Sequence, residues 1–185
     1  MKQVFLMFAM LFSALALAGE TKPLTFCTGS EVGYYNELGA TIGKKIVDKT
    51  KGELKLINTG GSVDNAELMK DGECVLAVMQ GDAVINLPLP AGIKVTDSHE
   101  EVIFWIHGPQ GLKDFGQIET ETNLARYAVA MVSGSGGEVT LTNFGKIDED
   151  YKSVRPVSFD GWDEAAEAAA QGYTMVAGVR VEIAG

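Results

Sequence analysis

Three short loops carry the residue types best suited to gripping a small anion. They are Thr28-Gly29-Ser30-Glu31-Val32-Gly33, Thr59-Gly60-Gly61-Ser62 and Ser133-Gly134-Ser135-Gly136-Gly137. Each follows an apolar run that reads as a strand and precedes a stretch that reads as a helix. Glycine lets the backbone turn sharply and approach a ligand closely. The unpaired N–H groups at the start of the next helix then point into the crevice, where the helix dipole favours negative charge. Gly33, Gly61, Gly136 and Gly137 supply that backbone, and the hydroxyls of Ser30, Ser62 and Ser135 add donors. Any one such loop is ordinary turn and cap chemistry. Three in equivalent places argue for one shared site.

Flanking residues extend the set. Tyr34 and Tyr35 follow the first loop directly. Neighbours on a helix point about 100° apart, so one ring can pack inward while the other walls a crevice and offers its hydroxyl. Gln80 and Asp82 follow the third apolar run and reach the same edge; Asp82 serves equally well as a helix cap.

Catalytic and cofactor patterns are weaker. His99 and His107 are the only histidines, neither lies in a recognisable nucleophile motif, and no G-x-S-x-G elbow is present. Gly39-x-x-x-Gly43-Lys44-Lys45 is one residue short of a phosphate-binding loop and falls inside a predicted helix. No spacing suits a metal, and no cofactor is expected. The reading is of a binding protein and not an enzyme.

The elements that must position these loops alternate. Strands are expected at Leu24–Thr28, Leu54–Asn58 and Cys74–Met79, with helices at about Gly33–Lys49 and Val63–Asp71. Residues 86–99 read as a connecting loop. Strands at Glu101–His107, Ala128–Val132 and Val154–Phe159 follow, with helices at Glu138–Phe144 and Trp162–Gln171 and a last strand from about Tyr173. This order predicts α/β architecture with mostly parallel, doubly wound sheets. The strands are continuously apolar, as expected when both faces are covered. The design repeats, which predicts a first lobe over residues 19–104 and a second over 105–185.

Residues 1–18 stand apart. Lys2, an apolar run from Val4 to Leu17 and the small-x-small end Ala16-Leu17-Ala18 describe a secretory signal peptide cut after Ala18. The expected product is periplasmic or secreted. The formal net charge of −10 gives no general attraction for nucleic acid or anionic lipid, so an anionic ligand needs local help. Lys113, Arg126 and Arg155 are basic candidates for that help. An exported disulfide between Cys27 and Cys74 would persist. If both lie on parallel strands, however, one near a strand end and one near a strand start, they sit far apart and read as two buried thiols.

At these loops the sequence resembles the TAXI-type solute receptors of tripartite ATP-independent periplasmic (TRAP) transporters, a group with the type II periplasmic binding-protein fold. The resemblance lies in Thr28-Gly29-Ser30-x-x-Gly33-x-Tyr35, in Thr59-Gly60-Gly61-Ser62-Val63-x-Asn65 with Gln80-Gly81-Asp82, and in Ser133-Gly134-Ser135-Gly136-Gly137-Glu138-Val139-Thr140. It implies a two-lobe clamp that closes on a small carboxylate-bearing solute, such as an amino acid or a dicarboxylate, for delivery to membrane permease subunits. Ser30, Tyr35, Ser62, Gln80, Ser135 and Gly136 would be ligand neighbours. Two departures stand out. Gly137 takes the place of a usual threonine, and the sequence ends at Gly185, inside the family's second lobe, so that half is expected to be incomplete. An incomplete lobe gives a route to self-association, and a structural or interaction protein that keeps the fold without transport is the alternative reading.

Overall fold

A computed structural model describes residues 22–114, 116–120, 123, 126–172 and 174–180. The expected signal peptide, residues 1–18, lies outside the described residues. No helix among the described residues is long and apolar enough to cross a membrane.

The first half is a small parallel sheet. Strands β1 (Leu24–Cys27), β2 (Leu54–Ile57) and β3 (Leu76–Ala77) are ordered β2-β1-β3, with Phe26 beside Leu56 on one side and Leu76 on the other. Helix α1 (Tyr34–Thr50) joins β1 to β2, and α2 (Ser62–Lys70) joins β2 to β3. The glycines that superficially suggested a phosphate loop, Gly39 and Gly43, are the buried residues of α1. A Cβ at Gly39 would collide with the Thr28 methyl, and one at Gly43 with Leu54. These positions let a helix lie close against short strands, which is a packing role.

The third strand is shorter than the apolar run that encodes it. Val75 forms a bend and the ladder begins at Leu76, so Cys74 lies off the ladder. This corrects the expectation of two separate thiols: Cys27 and Cys74 form a disulfide, with their Cα atoms 5.8 Å apart. The separation argument assumed an extended strand from Cys74 onward, and the bend removes that extension.

Helix α3 (Gly81–Asn86) follows β3 directly, and a turn-rich segment leads to β4 (Glu101–His107). The second half contains α4 (Gly116–Thr120), β5 (Ala128–Val132), α5 (Gly136–Ile147), a 3-10 turn at Glu149–Ser153, β6 (Arg155–Phe159), α6 (Trp162–Gln171) and β7 (Thr174–Arg180). Its sheet runs β4-β7-β5-β6; β5 is parallel to β6 and β7, and β4 is antiparallel to β7. The expected lobe boundary at residues 104–105 falls inside β4, which pairs with β7 along its whole length.

Strand β5 is the core of this half, buried at every position. Its side chains alternate between faces, as a strand requires. Val129 and Met131 join Leu112, Ile118, Tyr127, Leu141 and Val154 on one face. Ala130 and Val132 meet Ala165, Ala168 and Ala169 of α6 on the other. Alanines at these spacings give α6 a flat face that seats close to the sheet.

Candidate functional site

The strand-end loops of the two halves meet. At the start of α2, the N–H groups of Val63 and Asp64 donate to the Gly134 carbonyl, at 2.9 and 3.3 Å. The Asp64 carboxylate accepts the Gly60 N–H at 2.8 Å. Donors that sequence reasoning assigned to a ligand are therefore held by the protein's own oxygens. The contact is glycine-dependent: a Cβ on Gly60 would strike the Ser133 carbonyl oxygen, and one on Gly134 (φ 72°) would strike the Asp64 carboxylate. Gly61 (φ 135°) lies against Ser135 and Gly136, and Gly136 lies under the Gln80 side chain. Gly137 sits in the first turn of α5.

Behind this contact, buried Asn65 ties the loops to the sheet. Its amide N–H groups donate to the carbonyls of Thr28 (2.6 Å) and Val78 (2.8 Å), and its Oδ1 accepts the Thr59 hydroxyl (2.7 Å). The ends of β1 and β3 and the second loop are thus fixed to one side chain. The first loop joins through Thr59 N–H to the Gly29 carbonyl, 3.4 Å. Ser30 and Gly33 close their own turn, Gly33 N–H donating to the Ser30 carbonyl at 2.9 Å.

The remaining expected residues gather around a carboxylate that sequence reasoning missed, Glu101. Polar groups lead to it: the Gln80 N–H donates to Ser62 Oγ (3.0 Å), and the Tyr35 hydroxyl lies close to both Ser62 and the Glu101 carboxylate. Glu101 also accepts Gln80 Nε2–H (3.2 Å) and pairs with His99 Nε2 (3.0 Å). A carboxylate only accepts, so Nε2 carries a proton; His99 Nδ1 meets Ser98 Oγ at 2.8 Å. Both expected tyrosines stand edge-on to His99, with ring centroids 4.8 Å away for Tyr34 and 6.3 Å for Tyr35. Burial of Tyr35 first, and the Glu101 charge beside it second, push its hydroxyl well above the ordinary tyrosine range; it stays neutral.

Beside this network lies a cavity of 470 Å³ between the halves. Gln80, Asp82 and the segment Val95–His99 with Glu101 line one side; Thr140, Asn143, Phe144 and Ile147 of α5 line the other. Asp82 Oδ2 bridges across it, accepting from Thr140 (3.0 Å) and Asn143 (3.3 Å). Among the sequence-predicted residues, Gln80 and Asp82 line this cavity; the serines do not. Ser135 Oγ and Gln80 Oε1 are buried without a hydrogen-bond partner. Lys113 and Arg126 line a different hollow in the second half, with Arg126 stacked on Tyr127 at 4.7 Å, and Arg155 lies exposed on β6. No group of three or more metal-ligating side chains occurs among the described residues.

With this geometry in view, comparisons place the fold. The architecture is similar to the GluR0 ligand-binding core in complex with L-glutamate (TM-score 0.53, 11% identity, 86% of this chain and 71% of that chain covered). It is similar also to an ancestral arginine-binding protein bound to arginine (0.50, 13%, 84% and 70%) and to the periplasmic VFT2 domain of Bordetella pertussis BvgS (0.50, 12%, 83% and 66%). The fold is that of the two-lobe, type II periplasmic binding proteins. In sequence, the NMT1-like family model matches residues 26–87, the stretch that holds the first two loops and Gln80-Gly81-Asp82. No curated protein matches the chain in sequence.

Proposed function

We propose that this chain is an exported solute-binding module. It takes a small carboxylate-bearing solute, an amino acid or a dicarboxylate, between lobes formed broadly by residues 19–104 and 105–185. It then delivers the solute to the permease subunits of a TRAP-type transporter, as the resemblance to TAXI receptors implies. The cavity between α3, the 95–101 segment and α5 carries this reading, because both halves wall it and a hinge motion would open and close it. The named contents of the similar structures, L-glutamate and arginine, are amino acids and support it.

One observation favours a second reading, a protein that keeps the fold as an interaction module without transport. The α2 start already holds the Gly134 carbonyl, as though the loops had replaced a ligand. Thermal-shift titration with amino acids and dicarboxylates, paired with native mass spectrometry of the purified chain, separates the two. A solute at 100 times its dissociation constant stabilises the fold by about 2.7 kcal/mol, a readable shift. Stabilisation by any small solute, or a bound small mass, supports capture. A flat panel and a bare mass leave the interaction reading.

A further inference from the structure

The second sheet has two edges, and they are built differently. Its order, β4-β7-β5-β6, puts β4 on one edge and β6 on the other. Along β6, Pro156 has no N–H to offer a new strand, and the exposed Arg155 stands before it. Both are devices that keep an edge from pairing. Strand β4, Glu101-Val102-Ile103-Phe104-Trp105-Ile106-His107, holds no proline, lysine or arginine. It pairs with β7 along its length, and among the described residues no strand lies on its other side.

The face of β4 adds to this. Trp105 packs against the core, its indole N–H donating to the Leu112 carbonyl (2.6 Å), so by alternation Phe104 and Ile106 take the opposite face. The ladders set Ile106 in one row with Met175 and Ala130, the side that α6 covers. Helix α6 meets β4 closely at Gly108, where a Cβ would strike the Ala169 carbonyl oxygen. Short of that point Phe104 and Ile106 remain 46% and 44% exposed. Val32, Ile85 and Ile147 are more exposed, but they lie on a loop and two separate helices.

The β4 sequence also fits itself. Run antiparallel about a two-fold axis at Phe104, it sets Phe104 opposite Phe104, Val102 opposite Ile106 and Glu101 opposite His107, with no like charges facing. Aromatic and β-branched cross-strand pairs of this kind stabilise a ladder, and an isologous contact closes at two copies. From the unguarded edge, the bare Phe104–Ile106 strip and this register we infer that two copies of the chain pair through β4, joining their second sheets into one. The formal charge of −10 on each copy opposes the approach, and salt screens it, so the dimer tightens as ionic strength rises.

The test is sedimentation and light scattering of the full exported chain over a wide concentration range, at low and high salt. A dimer is expected. Phe104→Lys sets like charges directly opposite one another and should weaken association at least about tenfold, with the far-UV dichroism unchanged. Phe104→Cys supplies a second readout: the two-fold brings the new thiols within bridging range, so mild oxidation should link the copies covalently, while Ile147→Cys should not. A parent chain that stays monomeric throughout overturns the inference. So does a dimer that Phe104→Lys leaves unchanged and Phe104→Cys fails to link.

Discussion

At the scale of single residues, two side chains set what the loops can do. Asn65 spends both amide hydrogens and its carbonyl on Thr28, Val78 and Thr59. Asn65→Ala leaves buried polar groups unpaired, each costing roughly 1–3 kcal/mol. A loss of about 3 kcal/mol or more is expected in denaturant unfolding; a loss under about 1 kcal/mol would mean that water replaces the amide. Tyr35 shows the pH side. Its folded-state ionisation lies above the unfolded value near 10, so its contribution is complete below about pH 10 and drains away as pH rises beyond. Unfolding curves of Tyr35→Phe should therefore fall less steeply between about pH 10 and 12 than those of the parent. The signal for Asn65 was present in sequence, three residues after Ser62. The signal for Glu101 was weaker: Ser98-His99-Glu100-Glu101 places titratable groups where a loop enters a strand, and only the contact with Tyr35 gives it meaning.

At the scale of elements, the order of strands and helices was legible because each apolar run is bounded by glycine or polar turns. What was not legible was where a run stops being a strand. Cys74–Met79 is apolar throughout, yet only Leu76–Ala77 pair in the ladder, and that shortening is what brings Cys74 to Cys27. The bridge spans 47 residues, for which the chain-entropy estimate is about 4 kcal/mol. Reduction, or Cys27→Ala with Cys74→Ala, should lower stability by roughly 2–5 kcal/mol, read as a thermal shift with and without reductant. The loop contact makes a separate prediction. Gly60→Ala and Gly134→Ala each push a methyl group into the facing loop, and Gly134 also sits at φ 72°. Both should part the halves, seen as faster proteolysis between residues 86 and 100 with the second sheet's core intact.

At the scale of the whole molecule, the two halves are joined by polar contacts across a gap. They include Gly134 to the α2 start, Gln80 to Glu101, Asp82 to Thr140 and Asn143, and Lys146 to Asn86. Contacts of this kind are individually modest and water can replace them, as the proposed opening of the interface requires. The sequence pattern foresaw that the loops converge, since strand ends of parallel sheets share one side. It did not foresee that the loops would satisfy one another, because a carbonyl from residue 134 reaching residue 63 is a long-range event with no local trace. Asp82→Asn weakens the acceptor on α3, and should increase the radius of gyration seen by small-angle scattering of the unliganded chain. An unchanged radius would show that the other contacts hold the halves together without it.

The cystine between β1 and the bend before β3 ties conformational order to chemical surroundings. In a reducing compartment β3 keeps its two rungs on β1 and the ties of Val78 to Asn65 and of Gln80 to Ser62, but the wall that carries Gln80 and Asp82 loses its one covalent anchor. The capture proposed above would then be weaker where thiols stay reduced and firmer once the chain meets an oxidant.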